Sequence, residues 1–288
     1  MWVDLVRTVT EDGLRLDGVL HAPADGVVNR TAVDGCICLH GVGSSFYGSS
    51  LFEALTPSLT AVGLPTLWVN TRGHDNVFAA ATRQGRRWLG AAFESVDECR
   101  WDVTGWLDWA TRAGWQRIGL IGHSLGAIKA VYSQAHAPDE RVRRVMALSP
   151  PRLSYACFQH DPQGAAFFDA IQTAKQQVAA GKDDALIRVQ YPFPLIISAA
   201  GYLEKYGPAE RYNIVPLVSQ VACPLLFVYG QLELDSGSVA FAGVPEALRR
   251  AARPGQELDV VAVPGADHNY TRCAAPLAEV LRGWLAAD

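Results

Sequence analysis

A serine held between two glycines, Gly122-His123-Ser124-Leu125-Gly126, stands between the apolar run 118–122 and a run of small residues that continues past Gly126. These five residues match G-x-S-x-G, and the flanking pattern predicts a strand before them and a helix after them. So sharp a strand-to-helix turn forces the serine into a strained backbone conformation. Glycines are needed on either side, because a Cβ there would meet the neighbouring strand or helix. The turn lifts the Ser124 hydroxyl at the end of a central strand, where open α/β sheets present their ligand crevice. The chemistry this offers is nucleophilic attack on an acyl carbon; the bland alternative is a Gly/Ser-rich turn with no chemical role.

A serine is a poor nucleophile unless a histidine takes its proton and an acid orients that histidine. Of the seven histidines, His268 is the expected base, because it follows the last predicted strand and precedes the last helix. His40 and His123 sit inside motifs as neighbours of the chemistry. His74 follows a middle strand, His21 lies in an N-terminal hairpin, His136 ends a helix and His160 lies in an insertion. For the acid, the loop after the strand at 225–229 reads Gly230-Gln231-Leu232-Glu233-Leu234-Asp235. In an extended segment residues two apart face the same way, so Glu233 and Asp235 are both candidates; Glu233 is preferred and Asp235 is the alternative. Asp161 ranks third, and Asp267 shapes the loop of the histidine.

Acyl transfer also needs backbone donors for the developing oxyanion. Leu125, at the start of a predicted helix, offers one N–H where the helix dipole favours negative charge. The second is expected from Val42 in His40-Gly41-Val42-Gly43, where small residues let the backbone approach a substrate; alone, that motif could be only a tight turn. His40, Gly41 and His123 are therefore expected to border the substrate, together with Trp88, Tyr155 and Tyr202.

The elements that must position these groups follow from periodicity. Two strands, at 3–10 and 14–21, are joined by Glu11-Asp12-Gly13 as an antiparallel edge hairpin. Short apolar runs at 36–39, 66–70, 118–122, 142–149, 225–229 and 258–263 then alternate with helical patterns at 50–62, 96–113, 125–137, 239–252 and 275–286. That alternation predicts an α/β fold with a parallel sheet covered by helices on both faces. Ser95-Val96-Asp97-Glu98 reads as a capping box. The alternation lapses over 150–221, which contains helix-like segments, one of them at 164–180, punctuated by Pro192, Pro194, Pro208 and Pro216. An insertion of that length between core strands predicts a helical cap or lid, so the core spans 1–149 and 222–288 and the cap spans 150–221.

With 288 residues, 49% hydrophobic and 19% charged, the chain is long enough for one large α/β domain. A net charge of −4 and the lack of a Lys/Arg cluster disfavour nucleic acid as a partner. Asp4, Arg7, Glu11 and Asp12 interrupt what a secretory signal would need as an apolar core, and no run is long enough to span a bilayer. The expected address is the cytoplasm, without a membrane partner. Cys36, Cys38, Cys99, Cys157, Cys223 and Cys273 form no C-x-x-C pair and read as reduced core thiols, and no His/Cys cluster has the spacing of a zinc site.

On these motifs the sequence resembles the α/β-hydrolase superfamily. The elbow 122–126, the upstream His40-Gly41, the segment Asn70-Thr71-Arg72-Gly73-His74 and the residues around His268 fall in family order, over 14–285 of the chain. The resemblance implies an eight-stranded, mostly parallel sheet with antiparallel first strands, a cap after the sixth strand, a serine-histidine-acid triad and no cofactor. The departures are Glu233 where the family usually has aspartate and Asp75 where many members have glycine.

The function expected is that of an esterase-like serine hydrolase (EC 3.1.1), acting through an acyl-enzyme on Ser124 upon a small-molecule acyl substrate. The same triad also serves acyltransferases, amidases and C–C bond hydrolases. Nine Tyr and Phe residues between Tyr155 and Tyr212 favour an apolar or aromatic substrate, or else build the cap's own core. Charges between Lys182 and Arg188 argue against a membrane-seeking lid. The other classes are a ligand-binding, receptor-like protein on a hydrolase scaffold and a structural partner protein, for which Trp2 and the edge hairpin offer a homodimer surface.

Overall fold

The computed structural model describes residues 3–161 and 164–286; Trp2 lies outside them. The N-terminal hairpin is β1 (Asp4–Val9) and β2 (Arg15–His21), followed by β3 (Gly35–Leu39), α1 (Ser50–Thr60) and β4 (Thr66–Val69). A second hairpin, β5 (Phe78–Thr82) and β6 (Gly85–Leu89), precedes α2 (Cys99–Arg112), β7 (Ile118–His123), α3 (Leu125–His136) and β8 (Val142–Leu148). The segment up to β11 holds α4 (Tyr155–Gln159), α5 (Gly164–Ala179), β9 (Leu186–Val189), β10 (Leu195–Ser198), α6 (Ala199–Tyr206), α7 (Ile214–Leu217) and a single 3-10 turn. The chain closes with β11 (Leu225–Gly230), α8 (Gln231–Asp235), α9 (Val244–Ala251), β12 (Leu258–Val263) and α10 (Ala274–Leu285).

The main sheet has eight strands in the order β1-β2-β4-β3-β7-β8-β11-β12. β1–β2 and β2–β4 pair antiparallel, and every later pairing is parallel. Alternate side chains of the central strands feed two separate cores, as the period of two requires. Ile37, Leu39, Leu67, Val69, Leu120, Val145 and Phe227 join one core with Val103, Trp106, Ile128 and Val131 of α2 and α3. Cys36, Cys38, Trp68, Ile121, Met146 and Val228 join the other with Leu55 and Leu59 of α1 and Leu277 and Leu281 of α10. Burial on both faces is why these strands read as continuous apolar runs.

The strand order reverses between β3 and β7, so the loops after their carboxyl ends diverge and leave a crevice there. Register sets the neighbours: Leu39 pairs with Gly122, His123 with Leu148, and Gly230 with Val263. The segments beginning at His40, Ser124, Ser149, Gln231 and Pro264 therefore emerge side by side along one edge.

Several expectations are corrected. The capping box at Ser95–Glu98 is not formed: α2 starts at Cys99 with no side-chain cap. The Ser95 hydroxyl instead donates to Glu204 (2.5 Å), and Glu98 binds Arg72 and Arg87. α9 begins at Val244 rather than 239, because Gly243 is left-handed (φ +66°) and breaks the helical pattern. The β5–β6 and β9–β10 hairpins were not expected. Ala79, Ala80 and Ala81 lack a strand signature, and the β9–β10 strands are four residues each, separated by Pro192 and Pro194.

Two buried charge clusters tie these elements together. Burial opposes the Arg72 charge, but the surrounding Asp102, Glu98 and Asp12 carboxylates outweigh it and raise its pKa. Arg72 reaches Asp102 of α2 at 2.8 Å, Glu98 at 2.6 Å and Asp12 of the first hairpin at 3.3 Å. Glu94 is fully buried between Lys129 of α3 (2.6 Å) and Lys205 of α6 (3.2 Å). Burial pushes against its ionisation, yet the two ammonium groups hold its pKa at about 2.

Candidate active site

Ser124 follows β7 and opens α3 with φ 55° and ψ −120°, a region that L residues rarely adopt. Its flanking glycines are required by close approach. A Cβ on Gly122 would strike the Gly126 carbonyl, and one on Gly126 would strike the Leu39 and His40 carbonyls.

His268, in the loop after β12, brings Nε2 to 3.1 Å from Ser124 Oγ. Its Nδ1 lies 2.8 Å from Glu233 Oε2. A carboxylate only accepts, so Nδ1 carries the proton and Nε2 presents its lone pair to the serine hydroxyl. Glu233 is 6% exposed and its other oxygen accepts the Gly230 N–H at 2.8 Å.

The Ser149 hydroxyl donates to that same oxygen and lies 2.9 Å from the Tyr270 hydroxyl, itself 2.7 Å from the Val228 carbonyl oxygen. Ser149 was not expected here. It is the first residue after β8, the strand between β7 and β11, so the sheet order is the signal that would have found it.

Asp235 is excluded from this arrangement. The acid loop is not extended but forms the short helix α8, so residues two apart diverge, and exposed Asp235 accepts from Gln231 instead (2.8 Å). Asp161, in the insertion, accepts from Tyr191 (2.6 Å), while the His268 Nδ1 is taken by Glu233. Asp267 accepts the N–H groups of Asn269 and Thr271 and so shapes the loop that carries His268.

The loop after β3 runs against the serine: a Cβ on Gly41 would sit 3.2 Å from Ser124 Cβ. Behind it, the buried His40 ring accepts the Thr71 N–H at Nε2 (3.1 Å), which leaves Nδ1 protonated to donate to the Gly41 carbonyl (2.8 Å). Burial, with Lys129 nearby, lowers His40 to about 3 and keeps it neutral. Because a trans peptide points its C=O and N–H in opposite directions, fixing the Gly41 carbonyl also fixes the Val42 N–H. Leu125, first in α3, has no intrahelical partner for its N–H.

These groups meet at a cavity of about 790 Å³ whose walls include Gly41, Val42, His123, Ser124 and His268. His123 sets Nε2 2.8 Å from the His268 carbonyl oxygen. Burial and the neighbouring His268 lower it to about 4, so it is the neutral donor of that contact.

The insertion contributes Leu153, Phe158, Asp161, Tyr191, Pro192 and Phe193, and Phe241 closes the side near His268 (5.5 Å between rings). Four expected wall residues are not in it. His40 is buried behind the loop, Trp88 is 60% exposed on the β5–β6 hairpin, Tyr155 packs on Phe167 (5.5 Å), and Tyr202 is fully buried with its hydroxyl on the Tyr191 carbonyl. Asp75 takes a left-handed φ of 55°, the conformation for which glycine is the ordinary choice. It accepts from Tyr47 (2.7 Å), bracing the rim loop that contains Ser44 and Gly48.

Among the described residues no group of three His, Cys, Asp or Glu side chains could hold a metal ion, and no helix is long and apolar enough to cross a membrane. All six cysteines are free thiols, with Cys36, Cys38 and Cys99 buried.

The chain matches no protein-family profile. It is 28% identical over 247 residues to a 2-(acetamidomethylene)succinate hydrolase of Mesorhizobium japonicum, covering 80% of this chain and 79% of that one. It superposes on the α/β hydrolase GrgF from Penicillium sp. sh18 with a TM-score of 0.70, at 14% identity over 99% of this chain and 97% of the other. It also superposes on Est1E from Butyrivibrio proteoclasticus, solved with ferulic acid bound, with a TM-score of 0.65, at 15% identity over 97% of each chain. With its eight-stranded sheet, its strained serine turn and these likenesses, the chain has the α/β-hydrolase fold.

Proposed function

We propose that the protein is a serine hydrolase that cleaves a carboxylic ester or a closely related acyl bond of a small apolar or ring-bearing substrate. One observation carries this reading: His268 spans Ser124 at 3.1 Å and buried Glu233 at 2.8 Å, at the wall of a cavity of about 790 Å³. As a substrate carbonyl approaches, Ser124 Oγ bonds to its carbon while its proton passes to His268 Nε2. Glu233 stabilises the imidazolium that results. The carbonyl oxygen takes the negative charge, facing the N–H groups of Val42 and Leu125. His268 then protonates the departing alkoxide, leaving an acyl group on Ser124. Water, deprotonated by the same nitrogen, releases the acid and restores the serine.

The names of the curated relative and of the structural neighbours, a hydrolase and esterases, support hydrolysis. The relative's named substrate is a succinate, a dicarboxylate. That class is not carried over, because no Lys or Arg stands among the described residues lining this cavity. The aromatic wall of Phe158, Tyr191 and Phe193 favours apolar or ring-bearing groups instead.

Rapid mixing with p-nitrophenyl butyrate tests the reading. A burst of p-nitrophenolate close to one per chain, then steady turnover, is the expected course. Ser124→Ala and His268→Ala should each lose turnover by a factor of about 10³ or more with an unchanged circular dichroism spectrum. Turnover that survives in Ser124→Ala would rule out the serine route.

A further inference from the structure

The charge of the cavity wall restricts the substrate further, an inference that rests on Ser124 being the reacting group. Apart from the histidines, the described lining holds no Lys, Arg or Glu and a single carboxylate, that of Asp161. Pro162 and Gln163, which follow it, carry no charge. Glu233 adds a second carboxylate behind His268. Arg152 stands between two lining residues, but its side chain is not in the wall and its charge bears on Tyr229.

Asp161 is held toward the aromatic wall. The Tyr191 hydroxyl donates to it at 2.6 Å, and burial together with this carboxylate raises the Tyr191 pKa, so the tyrosine remains a neutral donor. The Tyr191 ring lies 5.4 Å from that of Phe158, and Phe193 stands 40% exposed in the same wall. A carboxylate beside aromatic faces is an environment that attracts a cation and repels an anion. The N-terminus of α5, three residues on at Gly164, adds about half a positive charge, less than the full charge on Asp161.

We propose that Asp161 is a specificity-determining residue. The cavity prefers esters that carry a cationic group, such as an ammonium, away from the scissile carbonyl, accepts uncharged ones, and rejects those that carry a carboxylate. The competing reading is that Asp161 serves only the N-terminus of α5.

Three p-nitrophenyl esters of matched length, ending in a methyl, a trimethylammonium or a carboxylate group, separate these readings when kcat/KM is measured at low and high salt. A neutral fluorophosphonate reports Ser124 reactivity independently. The expected ratio of kcat/KM for ammonium over carboxylate is about tenfold or more at low salt, shrinking as salt is added. In Asp161→Asn the ratio should fall toward one, with Tyr191→Phe shifting it in the same direction. A wild-type ratio near one, or a ratio unchanged in a folded Asp161→Asn protein, overturns the proposal; in the second case a lowered Tm would assign Asp161 to the helix end. A wild-type protein that reacts with the fluorophosphonate but shows no charge preference refutes this inference alone. A protein that neither reacts nor turns over any ester refutes the serine mechanism as well.

Discussion

At the scale of single residues, Glu233 holds His268 from a buried position and is itself held by the Gly230 N–H and the Ser149 hydroxyl. Two donors on one oxygen leave the other to orient the imidazole, which is what a triad acid has to do. Glu233→Gln keeps the volume but presents an amide that can stabilise the wrong tautomer. Its kcat should fall by about 10² to 10⁴, whereas Asp235→Asn, on an exposed side chain bound to Gln231, should stay within about twofold of wild type. Steady-state kinetics on the two variants decide this, and the reverse order would move the acid to Asp235. Sequence spacing alone left both residues open, because their separation by two means the same face in a strand and different faces in a helix. The chain forms the short helix.

At the scale of elements, the elbow was legible because its requirement is local: Gly122 and Gly126 are imposed by backbone atoms four residues apart or on the adjacent strand. The cavity wall was not. Tyr155 and Tyr202 are no different in type from Tyr191, and Phe167 from Phe158; which of them faces the cavity depends on how α4, α5 and the β9–β10 hairpin pack together. Their mutual contacts show that much of this aromatic content builds the insertion's own core.

That insertion is fastened to the sheet through α6. Lys205 pairs with Glu94, which also pairs with Lys129 of α3, and Glu204 accepts from Ser95 and from Tyr212. Removing the Glu94 charge leaves two buried ammonium groups facing each other. Glu94→Gln should therefore cost about 3–5 kcal/mol, lowering Tm by roughly 10 °C. Adding Lys205→Met should recover part of the loss in a thermal melt. No recovery in the double variant would mean that packing, rather than charge, binds α6 to the core.

At the scale of the molecule, the strand order turns positions far apart in sequence into neighbours. Ser124, Ser149, Glu233 and His268 follow β7, β8, β11 and β12, which are consecutive in the sheet. The apolar runs predicted all six of the later sheet strands: burial on both faces leaves the central ones little room for polar residues, and the edge strand β12, though partly exposed, keeps Leu258, Val260, Val261 and Val263. The β5–β6 hairpin escaped notice because it is half-exposed and rich in alanine. Chain order alone also concealed Ser149, whose role depends on β8 lying between the serine and acid strands.

The central claim is that Ser124 is a nucleophile activated by His268. It is tested most directly by intact-protein mass spectrometry after exposure to a fluorophosphonate, on wild type, Ser124→Ala and His268→Ala. A single adduct on wild type, none on Ser124→Ala and labelling slowed by orders of magnitude on His268→Ala is the predicted result. No adduct on the folded wild-type chain, or equal labelling of Ser124→Ala, would contradict it.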